Sequence, residues 1–178
     1  TQVFGSPIEP ASAALVVTQN SVTGLDARNN IFKNTQTFTP GTPRIYSCWV
    51  PAGFTFTTFN YNDLYGNNGT GGNPTLYHTG RIGSSNYTTL SNWQAASGQD
   101  LNSVSVVPVF VSNTDLHLIP ESSGGLNASA TPVLNVTTDF DGQFRNGFTP
   151  DMGADEVGAP EIVDAGITDI FFEPAPCA

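Results

Sequence analysis

A short pattern recurs along the chain at a spacing that few folds can use. "NNIFKN", Asn29 to Asn34, and "NDLYGN", Asn62 to Asn67, share a polar pair, an aliphatic residue, an aromatic residue, one further position and an Asn, at an offset of 33 residues. "SVSVVPVFVSN", Ser103 to Asn113, is an approximate third copy, with Val109 and Phe110 in the aliphatic and aromatic places. Repeats at roughly 20 to 45 residues mark solenoids, whose stacked coils each supply an equivalent strand. The pattern predicts Ile31, Leu64 and Val109 in one interior stack. The Asn of each copy falls in a turn, where amide side chains ladder from coil to coil and left-handed backbone is tolerated. Chance matching in a Phe- and Asn-rich chain is the competing explanation.

Periodicity elsewhere is strand-like. "ASAALVVTQNSVTGLDARNNIFKNTQTF" consists of short apolar runs broken by Asn, Gly and Asp, and in "GFTFTTFNYNDLYGNNGTGGN" Phe54, Phe56 and Phe59 sit among threonines. A turn or two of helix is expected only around "YTTLSNWQAASG", with Leu90 and Trp93 or Gln94 on one side. The 178 residues suffice for one domain with a sizeable core and the start of a second. Only 11% of them are charged, so solubility rests on Asn, Thr, Ser and Gly, as in secreted β-rich proteins. With 38% hydrophobic residues, twelve Phe among them, the chain has a core to bury, which argues against disorder.

A net charge of -10 with five Lys and Arg excludes the clustered basic residues that nucleic acid or an anionic membrane surface requires. No apolar run approaches the roughly 18 to 20 residues of a membrane-spanning helix, and no signal-peptide pattern is present. Opening at "TQVFGSPIEP", the chain reads as an internal or processed piece of a longer protein. Cys48 and Cys177 lie about 130 residues apart. A bridge between them stays open, but the penultimate position of Cys177 favours a partner beyond this chain, and neither CxxC spacing nor a His pair supports zinc.

Residues Leu101 to Glu156 resemble the closing part of right-handed parallel β-helix proteins secreted by Bacteroidetes-type bacteria. The features that carry the resemblance, in order, are Ser103, Pro108 with Phe110, Leu116 with Leu118, and Ser122 with Asn127. They are followed by Asp139-Phe140-Asp141-Gly142 with Arg145, and by Asp151-Met152-Gly153-Ala154-Asp155-Glu156. "VTGLDARNNIFKN" is similar to an ordinary coil of the same fold. The departures, "TPGTPRIYSCWVPAG" and "GNNGTGGNPTLYHTGRIGSSN", read as loops projecting from the solenoid. The resemblance implies an all-β right-handed parallel β-helix over residues 1-157. After the Gly/Pro break, residues 158-178 resemble a linker and the first strand of an immunoglobulin-like module.

The family further implies a large secreted or cell-surface adhesin, exported by the type IX route and associated with gliding motility. Its partners would be extracellular glycans or surfaces, the rest of the parent chain and components of the secretion machinery. A polysaccharide lyase or glycoside hydrolase of the same fold is the first alternative, and a purely structural spacer the second.

The stretch "DFDGQFRNGFTPDMGADE" gathers acidic residues around Arg145 in a chain otherwise sparing with charge. The favoured reading is a structural cap of Asp139, Arg145, Asp151 and Glu156, in which a planar guanidinium meets carboxylates. Its rival is calcium on Asp139, Asp141, Asp155 and Glu156, because Asp-x-Asp-Gly opens calcium loops, although the remaining EF-hand spacing is missing. For ligand contact the candidates are Tyr46, Trp49, Tyr61, Tyr77 and His78, flat side chains near loop segments. Catalysis would require Arg28, Lys33 and Asp63 with Asp26, or His78 with Arg81. Lys33 and Arg28 read more simply as exposed turn residues, so a non-catalytic role is favoured.

Overall fold

The computed structural model describes residues 2–6, 9–36, 44–66 and 77–157. The expected immunoglobulin-like strand and Cys177 lie outside them. Among the described residues, nine strands form three sheets. β1 (Gln2–Ser6), β2 (Glu9–Val16), β5 (Arg44–Val50), β8 (Tyr77–Ile82) and β9 (Ser85–Tyr87) make the largest, in that order. Its three central strands run parallel, and an antiparallel strand closes each edge. β3 (Asp26–Arg28) pairs in parallel with β6 (Thr58–Asn60), and β4 (Ile31–Asn34) with β7 (Asp63–Gly66). One helix, α1 (Leu90–Ser97), follows β9.

This arrangement overturns the expected right-handed parallel β-helix. The described residues form small sheets of mixed direction with one α-helix, and within them regular strands cease after β9. The third copy of the repeat explains part of the failure. Only Val104 bridges to Asp63, after which Pro108, which has no N–H to donate, interrupts the ladder. Val109 and Phe110 then turn back in a hairpin, with Ile119 N–H donating to the Val109 carbonyl and Phe110 bridging Leu118 in antiparallel fashion. Val109 therefore has no place in an interior stack. The two segments read as projecting loops are also corrected, because they contain β5 and β8, central strands of the largest sheet.

Residues from all three sheets meet in the main core. Cys48 and Val50 of β5, Phe59 of β6 and Leu64 of β7 are buried with Val17 and Trp93, and Phe32 of β4 packs against them. In the largest sheet the ladder passes over Ala14, Ser47 and Thr79, so its register is interrupted there. Across this interruption Tyr46 and Trp49, three positions apart, lie with ring centroids 5.6 Å apart, a contact that straight strand alternation would not give. Thr89 caps α1 by accepting the Asn92 N–H, Gly98 ends it with φ 68°, and the helix buries Trp93.

The amide ladder forms at a different Asn from the one expected. Asn34 is buried on Ser12 and on the carbonyl of Tyr46, and the laddered pair is Asn30 and Asn62. Oδ1 of Asn62 accepts from the Asn30 backbone N–H at 3.0 Å and from its side-chain amide at 3.2 Å. Nδ2 of Asn62 donates to Ala27 O at 3.0 Å and to Asp100 at 3.3 Å. Asn29, Tyr61 and Asp100 all adopt positive φ beside this ladder, so successive turns share a left-handed corner.

A second buried cluster, Leu118, Leu126, Ala130, Met152 and Val157, lies beneath the C-terminal turns, with Ile31, Tyr61, Val104, Val106 and Phe110 packed against it. It organises the strand-poor half of the protein and forms the floor on which the candidate site is built. Among the described residues, no helix is long and apolar enough to cross a membrane.

Candidate functional site

A groove of about 1110 Å³ opens between the turn at Arg28–Phe32, the Phe110–Leu118 hairpin and the C-terminal turns. Ile31, Phe110 and Leu118 line it from the second core side, while Leu116, Leu134, Val136 and Phe144 line it with their side chains largely in solvent. Leu134 is 88% exposed and Phe144 75%, which marks these side chains as available for contact. Phe140 and Phe148 are also solvent-exposed. Large apolar side chains grouped at the surface around a concavity are a mark of binding sites.

The acidic stretch forms one end of the groove. Arg145 donates to the Asp151 carbonyl at 3.1 Å and the Gly153 carbonyl at 2.6 Å, and pairs with Glu156 at 3.5 Å. The Glu156 carboxylate also accepts the backbone N–H groups of Asn146 and Asp151. Asp151, nearly buried, accepts from Ala128 and Val157 N–H. Burial pushes its carboxyl upward, and those two hydrogen bonds oppose the shift. Asp139 accepts from Asp141 and Gln143 N–H through Oδ1 and from Glu156 N–H through Oδ2. Arg145, Asp151, Glu156 and Asp139 thus lie in one network that satisfies the backbone of the final turns.

Of the four residues read as a calcium set, Asp139 and Glu156 spend both oxygens on backbone N–H groups or Arg145. Asp141 and Asp155 instead face His117, a residue that the sequence did not single out as a site. His117 Nε2 meets Asp141 Oδ2 at 2.6 Å, and Nδ1 bonds Asp115 Oδ1. The hydrogen bond to Asp115, followed by that to Asp141 and by both charges, raises the imidazole to about 9. An imidazolium with both nitrogens engaged has no lone pair to take a proton from a substrate.

Among the proposed ligand-contact residues, Tyr46 and His78 are buried and stack with centroids 5.2 Å apart. They occupy neighbouring strands in register, so the expectation of solvent-facing rings is corrected by their place inside the largest sheet. Burial, followed by Arg44 and Arg81, lowers the His78 pKa. Trp49 is half-buried beneath the Arg81 guanidinium, 4.3 Å from its ring centroid. Tyr77 is half-buried at the start of β8, and Tyr61 packs on the second core. Among the described residues, the large aromatics in solvent are Phe140, Phe144 and Phe148 instead.

The residues of the lyase-type set are engaged in other contacts. Arg28 pairs with Asp26 at 2.8 Å on the surface. Lys33 donates to the Pro108 carbonyl at 3.0 Å and lies over the Phe110 ring. Asp63 is wholly buried; burial raises its carboxyl to about 7, against the pull of the Val106 N–H and Lys33. A carboxyl shielded from solvent cannot reach a polysaccharide. Cys48 is a buried free thiol, its pKa pushed up chiefly by burial.

Comparison of the chain with protein-family models, with characterised proteins and with solved structures finds no match.

Proposed function

We propose that this chain is a non-catalytic contact and display segment of a large secreted or cell-surface bacterial protein, an adhesin associated with gliding motility, that meets extracellular glycans or other surfaces. The groove carries this reading, because exposed Leu134, Val136 and Phe144 stand around an open concavity. Sugar rings have apolar faces that stack on flat aromatic side chains, and contacts of this kind gain strength when many are displayed on one parent protein. The low charge and the resemblance of residues 101 to 156 to secreted β-rich proteins support the extracellular placement, export by the type IX route and contact with the secretion machinery.

The test is binding of the whole chain to an array of bacterial and algal polysaccharides, with a Leu134→Ser, Phe144→Ser double variant alongside. Retention of native protein and loss on the variant is the expected result. Equal retention of both moves the contact elsewhere. Release of oligosaccharides from any polysaccharide would replace this reading with the lyase or hydrolase, and no retention at all with the spacer.

A further inference from the structure

We propose that His117, Asp141 and Asp155 form a binding site for a first-row divalent transition ion such as zinc. One ligand atom from each lies within 4.8 Å of the others, and an ion entering among them would part the 2.6 Å contact of His117 Nε2 with Asp141 Oδ2 to the roughly 3.3 Å that separates tetrahedral ligands about 2.0 to 2.1 Å from zinc. The backbone explains the convergence. Phe140 N–H donates to the Ala154 carbonyl at 2.9 Å, which sets Asp141 and Asp155, each one residue further on, side by side. The bridge between Phe110 and Leu118 holds the other segment in place, and Leu118 N–H donates to Asp155 at 3.0 Å.

The donor set selects the kind of ion. Calcium and magnesium take oxygen ligands, whereas one imidazole nitrogen with two carboxylates suits zinc and its neighbours. Asp115 supplies an outer support found at histidine metal sites. Its bond to Nδ1 fixes the tautomer and aims Nε2 at Asp141 and Asp155. On binding, the ion takes the place of the Nε2 proton, which leaves to solvent. His117 and Asp141 are exposed, so water has access to the remaining coordination positions. Asp155 also lines the groove, so the ion would clip the hairpin to the C-terminal turns at its rim.

The experiment is calorimetric titration of the chelator-treated chain with zinc sulfate and, separately, calcium chloride, with thermal midpoints recorded for each. Expected are one zinc ion per chain, a raised midpoint, and at least tenfold weaker binding in both His117→Gln and Asp141→Asn. Asp115→Asn should weaken binding by roughly 10 to 100-fold. Cobalt(II) absorption of the native chain, read without any variant, should show bands of a nitrogen- and oxygen-ligated ion. Zinc uptake unchanged by His117→Gln, absence of stoichiometric binding, or a response to calcium alone would overturn the site.

Discussion

The indole of Trp93 lies across Gly80, leaving no room for a side chain on that strand residue, while its N–H donates to the Asp100 carboxylate at 2.6 Å. A methyl group on Gly80 would fall inside the van der Waals surface of the ring. Gly80 is paired on both sides, with Cys48 in β5 and Tyr87 in β9, so its backbone has little freedom to retreat. Gly80→Ala should therefore destabilise the protein by about 1 to 3 kcal/mol, the usual range for overpacking a core. Denaturant unfolding followed by Trp fluorescence measures it, and an unchanged midpoint would show that helix α1 shifts freely.

Asp100 gathers three side-chain donors: Trp93 Nε1, Ser103 Oγ and Asn62 Nδ2. Burial raises its carboxyl and these donors oppose that shift. Asp100→Asn keeps the shape but turns one acceptor into a donor facing another donor. The expected loss is roughly 3 kcal/mol, from an uncompensated buried polar group and the disturbed Asn62 ladder. Asn62→Ala on the Asp100→Asn background should cost less than on the native chain, a non-additivity that a double-mutant cycle reads directly.

How far the sequence carried can be judged at Ile31 and Leu64. The repeat aligns them by residue class at an offset of 33, whereas the ladder pairs Phe32 with Leu64, an offset of 32. A slip of one residue reverses the face of every side chain. Phe32 therefore joins Leu64 in the main core, while Ile31 packs with Met152 in the second. Both Ile31 and Phe32 are large and apolar, so residue class alone had no means of choosing between the registers. The strand periodicity and the short helix at Trp93 were legible because each rests on local pattern. β5 and β8 were not, because Pro and Gly around "RIYSCWV" and "LYHTGRI" mimic loop punctuation. The groove was hidden for another reason: its walls are isolated apolar residues in turns with no period, brought together only by the Leu126 and Met152 cluster.

Asp63 should make stability depend on pH. Its Oδ1 accepts the Val106 N–H at 3.0 Å, and its buried Oδ2 has no hydrogen-bond partner among the described residues. A carboxyl raised to about 7 binds its proton more tightly folded than unfolded. Between the ordinary carboxylate range and about 7 the native state holds more protons, so stability falls as pH rises through that window. Asp63→Asn stands in for the protonated acid and should remove this slope. At pH 8 the variant should exceed the native protein by up to roughly 4 kcal/mol, the free-energy equivalent of a three-unit shift. Urea unfolding at pH 5 and pH 8 tests this, and parallel pH curves for the two proteins would contradict it.

Arg145 distinguishes a structural end from a calcium site in the acidic stretch. Its guanidinium joins the carbonyls of Asp151 and Gly153 to the largely buried Glu156 carboxylate. Arg145→Ala leaves that carboxylate without its cation and two carbonyls without their donor, a loss of about 3 kcal/mol by analogy with broken buried pairs. Lysine keeps the charge but lacks the planar fork, so Arg145→Lys should recover only part of the loss. Because Asp139 and Glu156 already spend their oxygens on backbone N–H groups, calcium should leave the thermal midpoint of native and variant chains alike unchanged relative to excess chelator. A calcium-dependent rise that Arg145→Ala abolishes would mean that these carboxylates turn outward to bind the ion, and that the hydrogen-bonded arrangement is only its calcium-free form.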